Sequence, residues 1–296
     1  MAKVSVLIPS RNELFLRKTI EDVLSKARGE VEIIAVLDGY WPDPPLPDHK
    51  NLKLIHRSEP RGMRDGINSA AAIAKGEYLF KCDAHCMFSE GFDEILKADY
   101  LEDNWLLIMR RLSLDAVNWV INEKEAIDYE HYFYPFLHPD DLGLHARPWM
   151  QRARERKDIL LDEDASWQGS FWFTSAEHFR ERIGGLTEVG WRTFMAEPQE
   201  LGLKTQLGPW EGKIMRTKRA WGAHLHKGHS QWKVDEAMSG RISASERSQC
   251  NAYAFDYFWR NRWEGRAHDI EWLIDRFMPM PGWPLDWREL KAGPHA

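Results

Sequence analysis

GINSAAAIAKGEYLFKCDAH, residues 66–85, predicts a helix, then a buried strand, then two potential metal ligands. The alanine-rich first half favours a helix that Gly76 ends. The run 78–82 is typical of a strand inside a sheet. Residues i and i+2 at a strand end point to the same side of the chain, so Asp83 and His85 can both reach one ion. This stretch therefore predicts an α/β fold with a polar site at a strand end.

Three earlier runs have the composition of strands, and the first two are typical of buried ones. They are VSVLI at 4–8, which we expect Pro9 to stop, EIIAVL at 32–37 and LKLIH at 52–56. Between the first two, apolar residues recur at helical spacing on one face of a predicted helix, and the residues 10–12 are expected to cap it. These apolar residues are Leu16, Ile20, Val23 and Leu24.

Strands that alternate with helices predict a mostly parallel central sheet flanked by helices, with right-handed crossovers. Ligands of such sheets bind at the carboxyl ends of the strands. Asp38 and Asp83 follow two of these predicted strands, so we expect the chemistry beside them. The stretch 115–165 is irregular, with aromatic and charged residues mixed, and the residues from 231 onward favour a mostly helical extension.

The bulk composition is that of a folded globular protein. The 296 residues suffice for one large α/β domain or a domain with an extension, and 43% of them are hydrophobic and 29% charged. The formal net charge of −6 argues against a protein that coats duplex nucleic acid, although it leaves room for a local basic groove. We expect no membrane span and no signal peptide, because no apolar run reaches the ~20 residues that a span needs. Three cysteines form no disulfide framework, so the expected compartment is the cytoplasm.

Carboxylate and imidazole together suit Mn²⁺ or a similar divalent ion and leave positions open for phosphate oxygens. A histidine-rich block downstream supplies further candidates, His224, His226 and His229. Of these we favour His224 over His226 as the third ligand. Asp83 and His85 alone are weak evidence, because an Asp-x-His triplet also occurs by chance in structural roles.

The thiols beside this triplet offer a different interpretation. Cys82 and Cys86 flank Asp83 and His85, as they would in a zinc site. A second close pair of cysteines is missing from the sequence, however, and Cys82 has the pattern of a core residue. Zinc is therefore the less favoured alternative.

Several motifs in the same order resemble those of family 2 glycosyltransferases. The segments VSVLIPSRNE, IIAVLDG and RGMRDGINSAAAIAKGEYLFKCDAHC are similar to that family, in particular to its polypeptide N-acetylgalactosaminyltransferase branch, whose metal motif is also Asp-x-His followed by Cys. GSFWFTSAEHFRERIGGLTE at 169–188 resembles that branch's stretch with a Gly-Gly loop. Glu197-Pro198-Gln199-Glu200 resembles its Glu-x-x-Glu element, and Trp221-Gly222-Ala223-His224 resembles the segment with the third metal ligand.

The resemblance implies a GT-A fold at 1–230, with an aromatic-rich, mostly helical C-terminal extension at 231–296. It also implies a transferase that moves a sugar from a UDP-sugar to an acceptor hydroxyl and uses Mn²⁺ or Mg²⁺. The Asp-x-His form of the metal motif favours an N-acetylhexosamine as that sugar. Two features of the branch are missing from this sequence, a secretory anchor and a C-terminal lectin module, so we do not carry its protein substrate over.

The same resemblance assigns metal and catalytic residues. It implies that Asp83, His85 and His224 bind the metal. Glu197 and Glu200 match the acidic residues that face the donor sugar and the acceptor hydroxyl. In an inverting enzyme one of them would be the general base, whereas in a retaining enzyme the leaving phosphate itself can take the proton. The sequence leaves both mechanisms open, and Glu200 also fits a surface charge on a helix.

Residues that contact the donor are assigned in the same way. They are Pro9, Arg11 and Asp38 at the uridine, Arg61 and Arg64 as basic positions near the donor, Asp83 at the metal-bound diphosphate, and Trp191 closing over the sugar. One departure affects the uridine contact, because Gly39 stands where the family has a second aspartate. Asp38 also fits a simple turn residue, and the two arginines also fit solvated surface charges.

The acceptor is less determined than the donor. The segment YFWRNRW at 257–263 interleaves aromatic residues with arginines, a pattern that can stack bases or sugar rings and pair with phosphates. It equally fits a helix whose aromatic residues pack on the catalytic domain. The candidate acceptors are therefore a hydroxymethylated DNA base, as some phage enzymes use, a glycan or a small molecule.

Two other classes of protein remain as alternatives. A sugar nucleotidyltransferase would need a glycine-rich phosphate loop after the first strand, and PSRNE at 9–13 contains no glycine. A non-catalytic nucleotide-sugar or carbohydrate-binding module would not need the full set of acidic and histidine residues that the sequence retains.

Overall fold

The structure, a computed structural model, describes residues 3–122, 125–136, 144–191, 195–226 and 243–291. It is a mixed α/β fold in which helices flank one large sheet. The strands are β1 Val4–Ser10, β2 Val31–Asp38, β3 Leu52–Arg57, β4 Tyr78–Cys82, β5 Cys86–Phe88, β6 Leu106–Asp115, β7 Val120–Ile121, β8 Glu130–Tyr132, β9 Ala146–Pro148, β10 Leu161–Asp164, β11 Phe171–Ser175 and β12 Ile214–His224. The helices are α1 Leu16–Lys26, α2 Met63–Ile73, α3 Phe92–Asp99, α4 Met150–Glu155, α5 Glu197–Leu207, α6 Ala244–Ala254, α7 Ile270–Phe277 and α8 Trp287–Lys291, with π-helical turns at His178–Arg182 and Phe255–Trp259.

The central sheet has the strand order β10-β12-β6-β11-β4-β1-β2-β3, with β5 added to β12 and β7 added to β6. Strands β1 to β4 are mutually parallel, as the alternation of strands and helices predicts, and β6 is parallel to β12. The strand β11 lies antiparallel between β4 and β6. The prediction of a mostly parallel sheet flanked by helices is confirmed. The irregular stretch also contributes short strands, β7 to β10, which the sequence did not indicate.

The start of the chain differs from the prediction in two details. Pro9 does not stop β1, which continues to Ser10 because β1 pairs with β2 over its full length but with β4 only as far as Leu7. Pro9 therefore lies where a missing N–H is tolerated among the described strands. The predicted cap at 10–12 is also wrong, since α1 begins after Phe15 and the Ser10 hydroxyl donates to the carbonyl of Val36 instead.

The connection between β4 and β5 positions the polar site. The chain leaves β4 at Cys82, turns through Asp83 and His85, and enters β5 at once. Strand β5 pairs antiparallel with the end of β12, so that Cys86 lies opposite His224. The antiparallel pairing of β5 with β12 therefore places residues that are far apart in sequence side by side.

The C-terminal helices contribute to a second hydrophobic core. Aromatic residues of α6 and its π-helical turn pack together with residues of the middle of the chain, among them Trp191 and Leu203. Phe258 and Trp259 are almost completely buried. The predicted helical character is confirmed for residues 243–291; the start of the predicted extension, 231–242, lies outside the described residues. In the described part of the chain, no helix has both the length and the apolar character required to cross a membrane.

Candidate functional site

Three side chains converge at the end of β4 and β12. The potential ligand atoms of Asp83, His85 and His224 all lie within 4.8 Å of one another. Asp83 Oδ2 is 3.1 Å from His224 Nε2 and 3.9 Å from His85 Nε2, and the two imidazole Nε2 atoms are 3.1 Å apart. The structure thus brings together the three residues that the sequence singled out, in a geometry that fits a single divalent ion.

The ionisation of these groups suits metal binding. Burial lowers the pKa of His224 to about 4, against the opposing effect of its hydrogen bond with Asp83. Its imidazole is therefore neutral at pH 7, the form that binds metals. Burial on its own would raise the pKa of Asp83, but Lys81, His224 and His85 hold it well below its usual range, so the carboxylate stays charged.

Glu13 orients one of the imidazoles. Its Oε2 is 3.1 Å from Nδ1 of His85, and the Glu13 side chain is itself buried. With Nδ1 bonded to this carboxylate, Nε2 of His85 is directed at the cluster. Metal-binding histidines commonly have such a carboxylate partner. The sequence did not point to Glu13, although it lies in the PSRNE segment that begins within the end of β1.

Lys81 is a second residue of the site that the sequence did not point to. It has no exposed surface, and its Nζ is 2.8 Å from Asp83 Oδ1 and 3.7 Å from Glu197 Oε2 and donates to the carbonyl of Gly169. Burial by itself would lower the pKa of Lys81, but the carboxylates of Asp83 and Glu197 raise it on balance, so the ammonium stays charged. A single charged residue in an otherwise apolar strand was the available signal.

Glu197 begins α5 beside this cluster but has almost no exposed surface. Its Oε1 accepts a 2.7 Å hydrogen bond from Nε1 of Trp172, and burial raises its pKa. With Lys81 near the other oxygen, Glu197 is fixed by partners on both sides. Glu197 is thus held inside the protein next to Lys81, which contacts Asp83, and its predicted catalytic role stays a prediction.

Glu200 and Arg64, predicted to have separate roles, are partners of each other. The Arg64 guanidinium forms an ion pair with Glu200 Oε2, and both side chains are buried. Glu200 Oε1 lies 2.7 Å from Nζ of Lys204 and accepts a hydrogen bond from the Thr187 N–H. The alternative that Glu200 is a surface charge on a helix is therefore wrong. Arg64 is likewise not a solvated surface charge, and its predicted contact with the donor stays a prediction.

Asp38 organises the loop that precedes α2. Its Oδ1 accepts hydrogen bonds from the N–H of Arg61, at 2.9 Å, and from Arg57, at 3.2 Å, while Oδ2 accepts from the N–H of Gly62 at 2.8 Å. The Asp38 side chain is buried at the end of β2, whereas the side chain of Arg61 is exposed. The structure therefore supports a loop-fixing role for Asp38, and its contact with uridine stays a prediction.

The other predicted donor residues differ in accessibility. Arg11 is exposed and Pro9 is half-buried, both at the carboxyl end of β1. Trp191 has no exposed surface, and the guanidinium of Arg64 lies 4.7 Å from its ring centre. Tyr253 of α6 packs edge-on against the same ring. Because the Trp191 ring is buried, no part of it is exposed to a donor sugar in this structure, and the predicted contact stays a prediction.

Of the other two histidines that could bind the metal, His226 lies beside the cluster and His229 is outside the described residues. His226 Nε2 is 2.8 Å from Nη1 of Arg111, and the ring of His226 packs edge-on against that of His224. Cys82 and Cys86 are completely buried, burial raises the pKa of both thiols, and neither belongs to the ligand cluster found in the described chain. The zinc alternative therefore gains no support.

The structure also shows how the side chains of the segment 257–263 are packed and paired. Phe258 and Trp259 are buried, and the exposed guanidinium groups of Arg260 and Arg262 both pair with Asp256. These contacts match the alternative in which the aromatic residues pack on the rest of the protein. They leave Phe258 and Trp259 no free ring face for stacking on a base.

Solved structures with this fold include the following two. GalNAc-T7, solved with UDP, GalNAc and Mn²⁺, aligns with 76% of this chain and 44% of its own at a TM-score of 0.59 and 17% identity. Residues 1–349 of S. aureus TarS, solved with UDP-GlcNAc, align with 81% of this chain and 62% of that chain at a TM-score of 0.50 and 14% identity. The chain thus spans less than two thirds of either protein. At these identities the likeness establishes a common GT-A fold. No curated protein matches the sequence.

The first half of the sequence also matches a known family. The family model described as "Glycosyl transferase family 2" matches residues 5–156, which include β1 to β9 and two of the three clustered ligands, Asp83 and His85. The match covers just over half of the sequence. On this evidence, together with the GT-A fold, the chain belongs to glycosyl transferase family 2.

Proposed function

We propose that this protein is a metal-dependent glycosyltransferase that moves an N-acetylhexosamine from a UDP-sugar to an acceptor hydroxyl. The observation that carries the proposal is the convergence of Asp83, His85 and His224 at the carboxyl edge of the sheet. Support also comes from the ligands of the two similar structures, UDP, GalNAc and Mn²⁺ in one and UDP-GlcNAc in the other.

The residues fit a divalent metal of the Mn²⁺ type. One carboxylate oxygen and two imidazole nitrogens face one another, and His224 is neutral at pH 7. Mg²⁺ is a poorer match, because it prefers oxygen ligands and keeps several waters. When bound, such an ion supplies positive charge that stabilises a departing diphosphate.

The chain's own residues would prepare the site for that step. Glu13 holds the ring of His85, and Lys81 holds the carboxylate of Asp83. Glu197 and Glu200 are buried and paired with cations, so we propose that they position neighbouring groups. A proton from the acceptor would then pass to the leaving phosphate, as in the retaining mechanism.

We propose a glycan or a small molecule as the acceptor. A hydroxymethylated DNA base was suggested mainly by the aromatic and basic segment 257–263. Phe258 and Trp259, two of its four aromatic residues, are buried and cannot stack on a base, which weakens that argument. The formal net charge of −6 also opposes tight binding of DNA.

The test is release of UDP from a panel of UDP-sugars, with and without Mn²⁺, first without acceptor and then with glycan, small-molecule and hydroxymethylated DNA acceptors. We expect release to require Mn²⁺ and to be fastest with a UDP-N-acetylhexosamine. Asp83→Asn and His224→Ala should abolish it, whereas His268→Ala, which removes a histidine outside the cluster, should not.

Three results would contradict parts of the proposal. Full activity of Asp83→Asn and His224→Ala after chelation would exclude the metal site. A Mn²⁺-dependent thermal shift with a nucleotide-sugar, but no turnover with any acceptor, would indicate the alternative of a non-catalytic binding module. Rapid transfer to hydroxymethylated DNA alone would restore the base as acceptor.

A further inference from the structure

Lys81 is a charged residue in the interior of the central sheet. A buried ammonium is costly unless several oxygens compensate for the lost water. Here three oxygens do so: Asp83 Oδ1 at 2.8 Å, Glu197 Oε2 at 3.7 Å and the carbonyl of Gly169. The position of Lys81 is thus determined by three segments, the end of β4, the loop before β11 and the start of α5.

The packing around Glu197 leaves this arrangement little freedom. A Cβ atom at Gly169 would lie 2.5 Å from Glu197 Oε2, so the glycine allows the carboxylate to approach Lys81. Trp172 holds the other oxygen of Glu197 with a 2.7 Å hydrogen bond. The ammonium of Lys81 is therefore held against Oδ1 of Asp83.

The two oxygens of Asp83 consequently have different environments. Oδ1 accepts a hydrogen bond from Lys81, whereas Oδ2 is 3.1 Å from Nε2 of His224 and 3.9 Å from Nε2 of His85. An ion between the two imidazoles would meet Oδ2. Coordination through Oδ1 as well would compete with the buried ammonium of Lys81 for the electron density of that oxygen.

We propose that Lys81 is a positioning residue that restricts Asp83 to coordination through Oδ2 alone. The inference rests on the proposed metal-dependent function and adds a determinant of metal selectivity to it. With one oxygen from Asp83 and one nitrogen from each histidine, the protein supplies three donor atoms, and the remaining positions stay open for diphosphate oxygens. Single-oxygen coordination also disfavours Ca²⁺, which takes six to eight oxygen ligands and readily uses both oxygens of a carboxylate.

The test compares dissociation constants for Mn²⁺ and Ca²⁺, measured by calorimetry on the full chain. Lys81→Met alone would leave Glu197 buried without its cation, so the main variant is the pair Lys81→Met with Glu197→Gln. Glu197→Gln alone shows what that second change contributes. Lys204→Met is the matched control, since Lys204 is also a buried lysine paired with a glutamate but does not contact a proposed ligand.

We expect the ratio of the Ca²⁺ to the Mn²⁺ dissociation constant to fall about tenfold in the double variant, the size of effect that partners of metal ligands commonly have. The double variant loses one positive and one negative charge together, and any effect of this change that is common to both ions cancels in the ratio. Without Lys81, both oxygens of Asp83 are available to the ion, and this favours Ca²⁺ over Mn²⁺. The ratio should stay unchanged in Lys204→Met and in Glu197→Gln.

A measurement on the wild-type protein covers the case in which the double variant does not fold. The infrared difference spectrum on adding Mn²⁺ should show the widely separated carboxylate stretches of one-oxygen coordination, absent in Asp83→Asn. Closely spaced stretches, or a ratio that does not change in a folded double variant, would overturn the inference while leaving the metal site intact. Failure of the wild-type protein to bind Mn²⁺ would instead contradict the proposed function.

Discussion

Glu13 illustrates how a single side chain outside a motif can determine the geometry of the ligands within it. Its carboxylate lies 3.1 Å from Nδ1 of His85, in a buried position just before α1. A carboxylate at Nδ1 fixes both the tautomer and the direction of the ring, because Nδ1 then carries the proton and Nε2 keeps its lone pair. The Asp-x-His triplet is visible in the sequence, but the partner of its histidine depends on how the chain folds back.

We predict that Glu13→Ala weakens Mn²⁺ binding by about 10- to 100-fold. The ring of His85 would lose its fixed direction, and its tautomer would no longer be selected. Calorimetric titration with Mn²⁺ measures this effect. Glu21→Ala, which removes an exposed glutamate paired with Arg17 on α1, is the control and should bind Mn²⁺ as the wild type does. Equal affinities in both variants would show that Glu13 does not act on the ligand.

At the scale of elements, the sequence predicts the bounds of a strand most accurately where apolar residues dominate the run. The strand β4 has the predicted bounds, and β2 and β3 differ from prediction by one or two residues. The strands β2 and β4 are buried between neighbours, so composition alone identifies them. The strand β3 lies at the end of the sheet order and is only partly buried. The short strands β5 and β8 could not be predicted, because they form through pairing with distant segments that local sequence does not encode.

The helix α5 shows the opposite case. Its sequence, EPQELGLKTQL, is mostly polar, and a helix exposed to solvent is the natural interpretation. In the structure ten of its eleven residues are buried, including Lys204 and Gln206. This burial results from packing between the central sheet and the C-terminal helices. The pairing of Glu200 with Arg64 was therefore beyond sequence reasoning, although both residues had been singled out.

The strand β2 carries a buried carboxylate whose effect on stability depends on pH. Burial alone would raise the pKa of Glu32, but hydrogen bonds from Lys53, Ser5 and the N–H of Lys75 lower it to about 2. A carboxyl whose pKa is lower in the folded than in the unfolded protein stabilises the fold above the unfolded value, near 4.5. This contribution is lost as the pH falls from that value toward 2.

We predict that Glu32→Gln lowers the free energy of unfolding by about 2 kcal/mol at pH 7, the range for hydrogen bonds to a charged group. The difference from the wild type should shrink between pH 4.5 and pH 2, where the wild-type carboxyl also becomes neutral. Urea unfolding at pH 7 and pH 3 measures it. Glu30→Gln, at an exposed position, is the control. A difference that is the same at both pH values would contradict the role of the charge.

For the whole molecule, the main question is how the C-terminal helices relate to the sheet. The boundary predicted near 230 lies in a part of the chain outside the described residues and stays a prediction. The second core nevertheless joins both sides of it, since Phe258 and Tyr253 pack with Trp191 of the loop before α5. Gly190 of the same loop faces the ring of Tyr253 so closely that a Cβ atom would lie 2.3 Å from it. The loop that leads to Glu197 is thus supported by the C-terminal helices.

We predict that Phe258→Ala destabilises the entire chain by about 3–5 kcal/mol, the cost of removing a buried aromatic side chain. Phe258 is 1% exposed and contacts the ring of Trp191, so its loss weakens the core that both parts share. Leu285→Ala, at a position 87% exposed, should change stability by about 0.5 kcal/mol or less. Thermal unfolding monitored by tryptophan fluorescence and by far-UV circular dichroism should show one transition, shifted as a whole in Phe258→Ala. Two separate transitions, of which only one moved, would mean that the C-terminal helices unfold independently and do not support the loop before α5.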